Sequence, residues 1–293
     1  MPASARPRRS VLYMPVSNAR ALEKGRSLAA DGLILDLEDA VAPDVKASAR
    51  EHIAAALKQG GYGKREIAVR VNTLDSPWGR DDVKAMARSG ADALLLPKVE
   101  SAAMVHELES LMEAAGAPPS MGIHCMMETP LGMLNAREVA AASPRITCLV
   151  MGTSDLVKDL QAAHTPERLP VLTSLGLCIL AARACGVAIV DGVHLDLDDT
   201  EGFAAQCRQG KELGFDGKTL IHPKTIAKAN QVFAPSAEEI AWSHRIIAAH
   251  AEATAAGKGV VVVDGKLVEN LHVENARRLV ALSQAIQDLE TAA

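Results

Sequence analysis

Aromatic residues are nearly missing from this 293-residue chain: two Trp, two Tyr and three Phe make up 2% of it. A core without aromatic bulk has to be built from Ala, Val, Leu, Ile and Met, which suits parallel strands covered by alanine-rich helices. Basic runs are scarce too. The longest, at residues 6–9, is broken by Pro7, and the formal net charge is −5 with a pI near 6.0. That excludes the electrostatic footprint of a nucleic-acid-binding surface. The apolar residues after the first basic stretch are too few for a signal-peptide core or a membrane span, so a cytoplasmic location is expected. None of the five cysteines forms a C-x-x-C pair, and most sit in apolar runs. They read as small buried hydrophobes in a reducing compartment, which argues against a disulfide framework or a zinc site. No G-x-S-x-G elbow, P-loop or G-x-G-x-x-G is present, and no two histidines stand four residues apart as a helical metal motif requires.

What is present is an alternation. Near-continuous apolar runs at 11–16, 33–37, 67–71, 93–96, 121–127, 146–151, 187–190 and 219–221 read as parallel strands buried on both faces. Alanine-rich stretches with helical spacing lie between them, at 19–30, 44–58, 81–89, 102–115, 131–142, 169–185 and 201–213. The pattern predicts an α/β fold, a (β/α)8 TIM barrel with a small C-terminal lid domain. Its organisation is a flexible tail over 1–9, the barrel over 10–233 and a lid or oligomerisation segment over 234–293. The barrel is preferred to a doubly wound sheet because Asp36, Glu38, Arg70, Asn72, Lys98, Glu128, Asp155, Asp191 and His222 all fall at or just past strand ends. A barrel gathers those ends at one mouth, whereas a doubly wound sheet uses mainly its switch point. In the last segment, Ser236 with Glu239 is a capping-box start, Asp264-Gly265 marks a hairpin turn, and a final helix is expected over 273–289.

Glu128 and Asp155 each end a strand, and the two strands are neighbours in barrel order. Two converging carboxylates describe a Mg²⁺ site; a solvated carboxylate or a helix cap is the plainer alternative. Arg70 could fork onto a substrate carboxylate, or it could neutralise the acidic cluster of Asp36, Glu38 and Asp39. Asn18, Arg20 and Lys24 follow the first strand, where cations could hold phosphates or simply face water.

Taken in order, several motifs resemble the citrate lyase β-subunit-like (CitE-like) CoA ester lyases of the HpcH/HpaI aldolase/citrate lyase family. They are Leu35-Asp36-Leu37-Glu38-Asp39-Ala40-Val41-Ala42-Pro43, Arg70-Val71-Asn72, Leu95-Leu96-Pro97-Lys98-Val99-Glu100, Glu128-Thr129-Pro130-Leu131-Gly132, Gly152-Thr153-Ser154-Asp155-Leu156, Gly214-Phe215-Asp216-Gly217-Lys218 and Ile221-His222-Pro223. The resemblance implies Mg²⁺, with Mn²⁺ as a substitute, on Glu128 and Asp155. It implies that Arg70 holds a 2-oxo acid with Glu38 and Asp39 in support, and that Pro15, Arg20 and Lys24 lie near coenzyme A. It further implies a homotrimer or dimer of trimers in which one subunit's lid covers the next subunit's mouth. The expected reaction is the cleavage or Claisen-type formation of a 3-hydroxyacyl-CoA such as malyl-CoA or citramalyl-CoA, with acetyl-CoA and glyoxylate or pyruvate as the other partners.

Two positions depart from the family pattern. The first-strand loop Pro15-Val16-Ser17-Asn18 lacks the glycine that often follows that proline. In the lid, Glu269 stands where related lyases carry an aspartate. Its extra methylene moves the carboxylate by about an ångström, a shift able to cost roughly 10²-fold in rate. Either the backbone adjusts, or Glu269 does another job, such as positioning water for thioester hydrolysis. A malyl-CoA-type thioesterase is therefore the nearest alternative. A CoA-independent metal aldolase and a non-catalytic subunit of an acyl-carrier complex are the others.

Overall fold

The near-continuous apolar runs form strands because each is covered on both faces. The computed structural model describes residues 6–16, 19–257 and 259–291. Eight parallel strands close in sequence order: β1 (Ser10–Pro15), β2 (Gly32–Asp36), β3 (Glu66–Arg70), β4 (Ala93–Leu96), β5 (Gly122–Met127), β6 (Ile146–Met151), β7 (Ala188–Asp191) and β8 (Gly217–Leu220), with β8 pairing back onto β1. This is the (β/α)8 barrel that the sequence pattern predicts. Strand alternation sends Val11, Ile34, Ala68, Ala93, Leu95, Met126, Cys148, Val150 and Val190 into one cluster inside the barrel. A larger Leu, Ile, Val, Met and Ala cluster fills the space between sheet and helices.

The helices are α1 (Ala19–Gly25), α2 (Lys46–Gln59), α3 (Gly79–Met86), α4 (Ala102–Ala114), α5 (Pro130–Leu134), α6 (Ala136–Ala140), α7 (Thr153–Asp159), α8 (Leu172–Cys185), α9 (Thr200–Leu213) and α10 (Ile226–Phe233). The helix expected over 131–142 is split. Thr129 caps its start through the Gly132 N–H, and Asn135 breaks it by donating its side-chain amide to the Glu100 carbonyl at 2.8 Å. The sequence reading did not separate α7 or α10, which are too short to show a period.

The expected tail is also too long at its inner end. Arg8 and Arg9 are buried: Arg8 forks onto Glu66 at 2.6 and 2.7 Å, and Arg9 onto Asp31 at 2.8 and 2.9 Å. The backbone here runs hard against β8. A Cβ at Gly217 would stand 1.8 Å from the Arg8 carbonyl oxygen, so no side chain fits there.

Contacts divide the chain into two compact units, one spanning Arg8–Phe233 and the other built chiefly from the segment that begins at Ala234. The second unit contains α11 (Ala237–Ala255), entered through the Ser236–Glu239 capping box. A hairpin of β9 (Val261–Val263) and β10 (Lys266–Val268) follows, turning at Asp264 and Gly265, both with positive φ, and then α12 (Asn270–Thr291). Its small core is Ile246, Val268, Val273 and Ala276. Among the described residues, no helix is long and apolar enough to cross a membrane.

Candidate active site

Arg70 ends β3 opposite Asp36 at the end of β2, a register that sets the two side chains side by side. Its Nε and Nη2 donate to Asp36 at 2.7 and 2.6 Å. Nη1 lies 2.8 Å from Glu38 and 3.4 Å from Asp39, and the guanidinium covers the Tyr13 ring. Burial works against the charge of Arg70, but the Asp36 hydrogen bonds and the surrounding carboxylates outweigh it and raise the pKa. Asp36 also accepts the Glu38 and Ala40 N–H groups, which ties the acidic loop to the strand end. Burial raises the Glu38 pKa, with Asp39 adding and Arg70 and Lys98 opposing. Of the two readings left open for Arg70, these contacts are those of the second: it neutralises the acidic cluster and is held rigid by it.

Glu128 follows β5 and is buried. Its Oε1 accepts the Lys98 backbone N–H at 2.8 Å, and the Lys98 ammonium stands 3.6 Å from Glu38. Desolvation above all, with Glu38 and Asp155 adding, pushes the Glu128 carboxyl up to about 8. Asp155 lies in the first turn of α7, where Lys158 reaches it at 3.2 Å from the rim. Space for Glu128 is made by Gly152, where a Cβ would lie 2.5 Å from both the Cβ and Oε2 of Glu128. Gly152→Ala is accordingly expected to displace the carboxylate and lower kcat/KM by roughly 10²-fold, with far-UV circular dichroism unchanged. Full activity in that variant would show that the position of Glu128 does not matter.

Carboxylates outnumber cations here: Asp36, Glu38, Asp39, Glu128 and Asp155 surround Arg70 and Lys98. A buried carboxylate with so little compensation fits a hard divalent cation, which Glu128 and Asp155 could hold. Among the described residues, no group of three or more His, Cys, Asp or Glu gathers as a metal cluster. Two protein carboxylates with water and substrate in the remaining positions is how Mg²⁺ is commonly held.

Pro15 ends β1, exposed and in register with Asp36, and Arg20 and Lys24 are exposed on α1. Asn18 lies outside the described residues. Glu269 belongs to the second unit, exposed just before α12, with its N–H donating to His272 Nδ1. Asp191, expected at the mouth, instead faces the helix layer beside Ile189, because the inward position on β7 goes to Val190. There it pairs with Arg168 at 2.7 and 2.8 Å and with the fully buried Lys218 at 3.1 Å. Asn72 turns away to bond the Leu37 carbonyl and Asp82, and His222 accepts the Lys224 N–H.

Sequence reasoning missed Lys46. Its buried ammonium donates to the Leu37 and Glu38 carbonyls and to Asn72 Oδ1, at 2.8, 2.9 and 2.8 Å. It fastens the loop that carries Glu38 and Asp39. The available signal was a lysine opening a helix, where the dipole disfavours a cation.

Residues 9–223 match the family model described as HpcH/HpaI aldolase/citrate lyase. The chain belongs to that family. It is 52% identical over 286 residues to a (3S)-malyl-CoA thioesterase of Cereibacter sphaeroides, covering 98% of each chain. It is 39% identical to a citrate lyase subunit β of Leuconostoc mesenteroides, covering 95% of this chain and 94% of the relative. Among solved structures, CitE of Mycobacterium tuberculosis in complex with magnesium, acetoacetate and coenzyme A matches with a TM-score of 0.75. Its identity is 27%, over 96% of this chain and 100% of that one. Within this HpcH/HpaI family, the carboxylate-lined mouth is the natural seat of the chemistry, since strand C-terminal ends carry the active sites of such barrels.

Proposed function

We propose that this family member hydrolyses a 3-hydroxyacyl-CoA whose acyl group ends in a carboxylate, (3S)-malyl-CoA being the leading candidate, in a Mg²⁺-dependent reaction. The observation that carries this reading is the 52% identity to a (3S)-malyl-CoA thioesterase across 98% of both chains. The carboxylate pair at the mouth supports the metal dependence, and the magnesium and coenzyme A bound by the CitE neighbour agree with it.

A cation on Glu128 and Asp155 would supply Lewis-acid polarisation of substrate oxygens. The chain's own residues do the rest. Arg70, locked by Asp36 and Glu38, presents a fixed positive charge to oxygen that becomes negative as the thioester is attacked, with no reorganisation at that moment. Lys46 and Asp36 keep the Glu38–Asp39 loop in place behind it. Water oxygen bonds to the thioester carbon and the C–S bond breaks. One water proton goes to a carboxylate base, and the departing thiolate is protonated to free CoA. Glu269 is the carboxylate that the family resemblance assigns to the reaction from the C-terminal segment, and a trimer or dimer of trimers is the assembly it implies.

Carbon–carbon cleavage is the second reading, favoured by the 39% identity to a citrate lyase subunit β. The two separate cleanly. With Mg²⁺ and (3S)-malyl-CoA, chromatography with mass detection should find free CoA and malate, with the yield cut by Glu269→Gln. Acetyl-CoA and glyoxylate instead would establish the lyase. No turnover of malyl-CoA or citramalyl-CoA would refute both.

A further inference from the structure

Behind the mouth, α2 turns two cations onto one polar cluster. Lys46 and Arg50 stand one helical turn apart on it and reach Asn72 and Asp82. Asp82 belongs to the first turn of α3, in the helix layer, and is completely buried. Its two oxygens have separate duties. Oδ1 accepts Arg50 Nε at 2.6 Å, while Oδ2 accepts the Asn72 main-chain N–H at 2.9 Å and the Asn72 side-chain amide at 2.6 Å. Asn72 Nδ2 also donates to the Leu37 carbonyl at 2.9 Å, and Asn72 Oδ1 accepts the Lys46 ammonium at 2.8 Å. Only one orientation of that amide satisfies all three partners, since Asp82 and Leu37 need a donor and Lys46 needs an acceptor.

The order of these contacts makes a strut. Asp82 orients Asn72, Asn72 places Lys46, and Lys46 holds the Leu37 and Glu38 carbonyls at 2.8 and 2.9 Å. Those carbonyls open the loop whose Glu38 and Asp39 side chains face Arg70. Asp36 ties the same loop by the Glu38 and Ala40 N–H groups, so its main chain is gripped by donors and acceptors alike. Burial lowers the Lys46 pKa, and Asp82 is foremost among the charges that oppose it, ahead of Asp36 and Glu38. The turn that delivers α3 has no slack. A Cβ at Gly79 would lie 2.1 Å from the Thr73 carbonyl oxygen.

We propose that Asp82 is a positioning residue for the reaction: through Asn72 and Lys46 it sets where the Glu38–Asp39 loop stands, and with it the Arg70 guanidinium. The consequence for rate rests on the hydrolase reading, and the consequence for the loop does not. Asp82→Asn keeps the shape and cuts the strut, because the new NH2 group must face either Arg50 or the Asn72 donors.

The test is hydrogen exchange read by mass spectrometry on the full-length protein, beside kcat and KM for (3S)-malyl-CoA in Mg²⁺. In Asp82→Asn, exchange over 37–41 should quicken by about 10-fold or more, while β5 and β6 keep wild-type protection. Turnover should show it as a fall in kcat of roughly 10-fold or more, with KM little changed. In a Lys46→Met background, where the strut is already cut, Asp82→Asn should lower kcat no further. Wild-type exchange over 37–41 overturns the proposal. So does faster exchange spread evenly over the barrel, the mark of a merely structural residue, or additive losses of kcat in the double variant. Asn72→Ala cuts the strut at its middle and leaves the Asp82–Arg50 pair, so it should reproduce the localised exchange; if it does not, the proposal falls even where Asp82→Asn fails to fold. If exchange changes as expected but wild-type protein fails to turn over malyl-CoA, the hydrolase reading falls and the strut remains.

Discussion

Glu128→Gln is expected to lower kcat/KM by at least about 10²-fold, abolish Mg²⁺-dependent stabilisation and leave the fold intact. The same substitution should remove a pH dependence. The Glu128 carboxyl is raised from its ordinary 4.5 to about 8 by burial first and by Glu38 and Asp155 next. The folded, metal-free protein therefore holds a proton there that the unfolded chain gives up. Stability is lost as pH rises through that window, by at most about 1.4 kcal/mol per unit. In Glu128→Gln the slope should flatten, and saturating Mg²⁺ should flatten it in the wild type by favouring the ionised form. Thermal melts from pH 5 to 9, with and without Mg²⁺ or EDTA, read both effects. A variant that keeps the wild-type slope and the Mg²⁺ response would remove Glu128 from the metal site.

Arg8→Met should be strongly destabilising, costing about 3–5 kcal/mol, because it removes the forked cation that neutralises the buried Glu66. Burial alone would raise the Glu66 pKa. Arg8 above all, with His124, outweighs burial and holds the carboxyl well below the usual range. A depressed folded pKa gives stability above the unfolded value that is lost as pH falls through the folded one. The gap between wild type and Arg8→Met should thus be widest near neutral pH and narrow in acid. Arg8→Met with Glu66→Leu should recover much of the loss, since an apolar pair has no unpaired charge. Denaturant midpoints at two pH values settle this, and a gap that does not depend on pH would contradict it.

The barrel was legible because buried parallel strands must be apolar on both faces, and the runs at β4 and β6 stand in the sequence with the bounds they have in the structure. Glu128, Asp155, Arg70 and Glu38 were legible as strand-end polar residues in an apolar chain. Asp191 has the same sequence signature and a different fate, because one step of strand alternation decides whether a side chain faces the mouth or the helices. Lys46 was hidden because its three acceptors come from two segments, two of them main-chain carbonyls that no residue identity announces.

The sequence by itself determined the layered α/β architecture, the family and the set of residues available for chemistry, since periodicity and residue type are local properties. Only the tertiary structure decided how those residues are used. It closed Arg70 between Asp36 and Glu38, bent Lys98 into a left-handed turn against Glu128, and seated Arg8 on Glu66 under the barrel. Burial and distance set the energy of a charge, and both depend on segments far apart in the chain that meet only on folding.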